Sequence, residues 1–207
     1  MKLFKILPLV LVIGILFSSC AKIYYSSDAK DIASNQSIIA ILPPIVSIAA
    51  NRNVKASAII EQQKVESKNF HKEMYSWILK RKMQGKITPE IQDLEITIAK
   101  LKDVGYPETI STPEEICDIL GVDGILGSYY SLSKPMSQDE AIVFGVLFDV
   151  WGPTNEVAVT LSIKDCAHKK LIWNYDHTFS GTIGSSPEYL VDRLMRHASK
   201  KMPYRIK

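Results

Sequence analysis

Hydrophobic positions change their spacing several times along the chain, and each change predicts an element. Val157, Val159, Leu161 and Ile163 alternate with polar or small residues, the period of a strand with one buried face. Beyond a turn at Asp165 to Lys169, Leu171, Trp173, Tyr175, His177 and Phe179 alternate in the same way, so the two runs form a β-hairpin. Ile38 to Leu42 is apolar without interruption and stops at Pro43-Pro44, which predicts a central strand buried on both faces. Val122 to Leu132 predicts a further strand, whose Gly124 and Gly127 admit a close neighbour.

Helical spacing occupies the stretches between. Phe70, Met74, Trp77, Ile78 and Arg81 mark a long helix from about Val54 to Met83, ended by Gly85. Thr88-Pro89 reads as the start of a second helix with Ile91, Leu94, Ile98 and Leu101 as its stripe. Thr112-Pro113-Glu114-Glu115 is a capping box, and Gly121 closes the short helix that follows it. Ser186-Pro187-Glu188 opens the last helix, with Leu190, Val191, Leu194, Met195 and Ala198 facing inward. The order predicts an α+β fold, a small mixed β-sheet with a C-terminal β-hairpin and helices packed over one face.

The N-terminus follows a different rule. Lys2 and Lys5 precede the uncharged run Ile6 to Phe17, the layout of a signal peptide and too short for a comfortable membrane span. Three regions result: residues 1–19 as a lipoprotein signal peptide, 20–36 as a flexible polar tether, and 37–207 as a single α+β domain. Removing the signal takes away Lys2 and Lys5 and leaves acids and bases nearly balanced, from 25 Lys+Arg against 22 Asp+Glu overall. No basic stripe suited to nucleic acid is present. Lys80-Arg81-Lys82 and Lys200-Lys201 each fall at the expected end of a helix, where cations complement the macrodipole.

Candidate chemistry is sparse. Asp165, Cys166 and His168 lie close in sequence, with His177 on the next strand, but their spacing matches no metal signature. His168 reads as a surface residue and His177 as a structural one. Gly121, Gly124 and Gly127 follow a helix and precede a strand, the reverse of a nucleotide-binding loop. Ser128, Ser185 and Ser186 lack a nucleophile elbow, and Glu114-Glu115 belongs to a cap. No catalytic residue, cofactor or metal is therefore expected. Cys117 on a helix and Cys166 in a turn weigh against a disulfide, which the sequence leaves open.

Ala141 to Trp151 is nearly all apolar, and its continuous runs do not alternate as a transmembrane β-strand would. A buried helix or an oligomer contact fits better. As an apolar run beyond the needs of a small core, it supplies the candidate partner surface: Met136, Ile142, Phe144, Leu147, Phe148 and Trp151.

Leu16-Phe17-Ser18-Ser19-Cys20 resembles the lipobox of bacterial lipoproteins, although Phe17 stands where an aliphatic residue is usual. The resemblance implies acylation of Cys20, and Ala21 resembles the sorting signal for the outer membrane. Ile38 to Pro44, Leu120 to Ser128, and the hairpin from Val159 to Tyr175 with Leu171-Ile172-Trp173 look like the small domain of envelope lipoproteins related to the TolB N-terminal domain. That group includes the curli secretion lipoprotein and activators of peptidoglycan synthases. It implies fold but carries no catalytic residue across. The expected function is a non-enzymatic accessory or assembly factor that binds other envelope proteins, lipid-anchored and facing the periplasm. Homo-oligomerisation is compatible with this reading. The alternatives are a subunit of an oligomeric secretion pore and an envelope hydrolase.

Overall fold

The computed structural model describes residues 21–49, 55–107, 109, 112–133, 156–180 and 186–206. Strands β1 (Lys22–Tyr25), β2 (Ile38–Ile41), β3 (Ile45–Ile48), β4 (Glu90–Ile91), β5 (Gly124–Ser133), β6 (Glu156–Asp165) and β7 (Lys170–Ser180) form one mixed sheet. The helices are α1 (Ala29–Asn35), α2 (Ala56–Met83), α3 (Leu94–Asp103), α4 (Pro113–Leu120) and α5 (Pro187–Ala198), followed by a 3-10 turn at Ser199–Lys201. The architecture is α+β.

The expected hairpin is β6 and β7, antiparallel over their whole length with an irregularity at Ile163/Lys164. That irregularity shifts the buried set on β7, so Ile172 and Trp173 are both inside. β6 pairs antiparallel with β5, whose other edge takes β2 and β3 in parallel. β3 was not anticipated. Between Ile41 opposite Leu126 and Ile45 opposite Tyr129, the β2–β3 chain spends one residue more than β5, and Pro43-Pro44 fill the resulting bulge. A proline pair thus interrupts pairing with β5 without ending it.

Two cores flank the sheet. Ile39, Ile41, Leu126, Tyr130, Leu161 and Trp173 meet α1, α2 and α5 on one face. Ala40, Leu42 and Ile125 meet α3 and α4 on the other. The expectation of helices over one face is corrected: β2 is buried on both faces because each side carries its own helical layer. Tyr130 stacks on Phe70 with ring centroids 4.2 Å apart and donates its hydroxyl to the Met74 sulfur at 3.2 Å.

The flexible tether is a second correction. Lys22–Tyr25 pairs antiparallel with β7, and α1 buries Ala29, Ile32 and Ala33. Those three positions have helical i, i+3, i+4 spacing, and the surrounding polar residues only clothe the outer face. Lys170 Nζ ties the segment further by pairing with Asp28 at 2.5 Å.

Local signals explain most helix ends. α4 has its capping box, with Glu115 N donating to Thr112 Oγ1 and Thr112 N donating to Glu115 Oε2. Gly121 closes it at φ 66°, a left-handed conformation that favours glycine. Thr88-Pro89, by contrast, opens no helix. Glu90–Ile91 pairs in parallel with β2, and α3 begins three residues beyond Ile91 with Asp93 as its cap. Ile91 therefore serves the sheet, and Thr97 and Leu101 form the buried stripe of α3.

Candidate functional site

Cys20, Met136, Ile142, Phe144, Leu147, Phe148 and Trp151, the residues singled out for anchoring and partner contact, lie outside the described residues. Of the sparse metal-type cluster, the structure gives Asp165, Cys166 and His168 other roles. Cys166 is joined to Cys117 with Cα atoms 5.6 Å apart. The bridge corrects the expectation drawn from sequence. α4 packs over the second face of the sheet beside the β6–β7 turn, and Cys166 N donates to the Asp123 carbonyl just after that helix at 3.0 Å. Asp165, buried, accepts from the backbone and ring Nδ1 of the exposed His168, each at 2.7 Å. No group of three His, Cys, Asp or Glu suited to a metal occurs among the described residues.

A buried polar network lies beside this turn. Gln36 Nε2 donates to Asp165 Oδ1 at 2.6 Å and to the Asp123 carbonyl at 3.1 Å. Its Oε1 accepts from the Tyr204 hydroxyl. Burial, reinforced by Asp165 and Asp123, pushes the Tyr204 phenol well above its ordinary range and keeps it protonated as a donor. Asp123 Oδ2 accepts from the backbone of Ser37 and Ile38, so the network fixes the start of β2. Its geometry is that of a structural clamp.

The Pro43-Pro44 bulge creates a different surface. Prolines cannot donate, and the carbonyls around them are satisfied by side chains from other elements. His71 Nε2 donates to the Ile41 carbonyl at 2.7 Å, Tyr106 Oη to Pro43 at 3.3 Å, and Ser67 Oγ to Pro44 at 2.5 Å. These bonds hold the bulge against α2 and leave a groove of about 680 Å³. Its walls include Ile45, Ile60 and Ile98, between 40% and 53% exposed, with Lys64 and Lys68 on α2 at the rim. Burial pushes the Tyr106 hydroxyl up to about 12 and holds the His71 imidazole below its ordinary range, the Ile41 carbonyl opposing the latter shift. Both are neutral near pH 7, which keeps the floor of the groove uncharged. The sequence reading missed this site. Its one visible signal is a proline pair within a strand-forming stretch.

No protein-family model matches the chain, and no curated protein is similar to it. Structurally similar proteins include the lipoprotein GNA1162 from Neisseria meningitidis, 13% identical, covering 80% of this chain and 96% of that one with a TM-score of 0.44. A PelC dodecamer from Paraburkholderia phytofirmans is 8% identical over 92% and 99% of the two chains, TM-score 0.39. The LpoB C-terminal domain from Salmonella enterica is 11% identical over 70% and 83%, TM-score 0.36. All three scores fall below 0.5, and these likenesses assign no activity, ligand or partner to this chain.

Proposed function

We propose that the protein is a bacterial envelope lipoprotein, held to a membrane by an acyl group on Cys20, whose domain acts as a non-enzymatic accessory or assembly factor for other envelope proteins. The observation that carries this reading is the lipobox-like Leu16–Cys20 immediately ahead of a domain whose first strand begins at Lys22. Among the described residues no helix is long and apolar enough to cross a membrane. Ala21 favours the outer membrane, with the domain facing the periplasm.

Two surfaces serve the partner in this reading. One is the apolar run 141–151 with Met136. The other is the groove beside Pro43-Pro44, whose apolar walls and rim of Lys64 and Lys68 suit an apolar segment with an acidic flank. The test is extraction of the acylated protein from crosslinked membranes, followed by native mass and identification of what co-purifies. A monomer or small oligomer bound to a defined envelope protein is expected. A large homo-oligomeric ring that conducts ions in bilayers would replace the accessory reading with a pore. In parallel, Cys20→Ala should abolish acyl labelling and release the protein from membranes, and retention of both would sink the anchor.

A further inference from the structure

Two basic groups that the sequence places far apart meet in the fold. α2 ends in Lys80-Arg81-Lys82, while α5 carries Arg196 in its last turn and is followed by Lys200-Lys201. α2 and α5 pack together, and Trp77 Nε1 donates across their interface to Asp192 Oδ1 at 3.3 Å. Beyond the helices, Ile87 bridges to Arg205, Ile206 N donates to the Lys86 carbonyl at 3.2 Å, and Thr88 N donates to the Tyr204 carbonyl at 3.2 Å. This pairing encloses a cleft of about 380 Å³ walled by Arg81, Lys86, Arg196, Lys200 and Arg205.

Helix macrodipoles account for only part of this charge. Two helix C-termini supply about half a negative charge each, roughly one in all, against five cations. Asp192 offsets one more by accepting from Arg196 Nε at 2.6 Å, and that guanidinium holds its carboxyl below the ordinary range. Among the described residues no carboxylate lines the cleft. Asp192 also attracts Arg81 through space, while the hydrogen bonds of Arg81 and Arg205 go to neutral groups. Arg81 lies 4.5 Å over the Trp77 ring and donates Nη1 to Gln84 Oε1 at 3.1 Å, and Arg205 Nη1 donates to the Lys200 carbonyl at 3.3 Å. Each arginine has five N–H donors, and the bonds above use one apiece, which leaves a positive surplus with donors to spare.

We propose that this cleft binds a multiply charged phosphate group, carried by a soluble phosphate ester or by a lipid headgroup. Its volume falls in the range of small-ligand pockets, and its cations converge from two helix ends on one cleft instead of running as a stripe along which a nucleic-acid backbone could track. Arginine forks pair with phosphate oxygens by parallel charge-assisted bonds, and the two lysines add point charge.

The test is calorimetric titration of the full mature protein in mild detergent with pyrophosphate, repeated at two salt concentrations. Saturable one-site binding that weakens with salt is expected. Removal of Lys86 or Arg205 as glutamine should weaken binding by about tenfold each. The Ile87–Arg205 bridge is a backbone interaction and survives Arg205→Gln, and Lys200→Gln provides a second variant if folding is impaired. A control variant, Lys72→Gln with Lys102→Gln, removes two exposed charges elsewhere and should change nothing. Nanodiscs containing phosphatidic acid, compared with phosphatidylcholine alone, separate the sources: displacement of pyrophosphate assigns the headgroup, and its absence assigns a soluble ester. Absence of saturable binding overturns the proposal, as does equal weakening by the control variant.

Discussion

Tyr204 and Gln36, 168 positions apart in the chain, share a buried hydrogen bond in which the tyrosine hydroxyl donates to Gln36 Oε1 at 2.5 Å. The bond joins the C-terminal segment to the loop that feeds β2. Tyr204→Phe keeps the ring in its packing but leaves Oε1 without its donor. Loss of about 1–3 kcal/mol is expected from the desolvated acceptor, read as a lower urea midpoint at unchanged slope. A midpoint equal to wild type would show that another donor replaces the phenol.

Gln36 also explains why position 124 is glycine. A Cβ there would meet Gln36 Oε1 at 2.7 Å and its Cδ at 2.9 Å, and three partners prevent the carboxamide from swinging away. Gly124→Ala should cost about 1–3 kcal/mol through overpacking. In a Gln36→Ala background the same change should cost much less, giving a coupling above about 1 kcal/mol in a double-mutant cycle. Additive costs would locate the clash elsewhere.

The Cys117–Cys166 bridge spans 49 positions, and closing a loop of that length removes about 4 kcal/mol of unfolded-chain entropy in the simple loop model. Cys117→Ser with Cys166→Ser should lower stability by about 2–4 kcal/mol, measured by denaturant unfolding with and without reductant. Reductant should destabilise the wild type alone. Quantitative thiol labelling of both cysteines in the unreduced native protein would argue that the bridge does not form.

Acidification should weaken the fold in the range where histidine titrates. His71 is held below its ordinary value of 6.5 by burial, and His177 is held below it by burial and by the charges of His197 and Arg193. The unfolded chain therefore binds more protons between the folded and unfolded values, so stability is full above about pH 6.5 and falls as pH drops below it. Melting temperature should be lower at pH 5 than at pH 7.5, and His71→Gln should flatten part of that slope. An unchanged slope in the variant would assign the effect to His177 or to other groups.

The hairpin, α4 and α5 were legible because several local signals agree in each: a strict two-residue period, a capping box, and a serine–proline start. Residues 21–36 were not, since their buried set is small and few, and a strand of four residues carries little periodic signal. Thr88-Pro89 resembled a helix start, yet the free edge of β2 claimed Glu90 and Ile91 first. The disulfide depends on α4 lying over the β6–β7 turn, a tertiary placement that no local pattern encodes. The same holds for the basic cleft, whose walls come from the ends of two helices separated by most of the chain. The partner-surface residues and Cys20 rest on sequence alone.

The early start of β1 changes what an anchor at Cys20 would mean. A free leash over residues 20–36 would let the domain drift about 20–25 Å from its lipid. Only Ala21, itself packed against the core, separates Cys20 from the hydrogen-bonded strand. The domain would ride on the bilayer surface in a restricted orientation, and any partner would have to come within its own reach of that surface. A lipid already confines search to the membrane plane, and the short connection would further confine it to a thin layer against the bilayer.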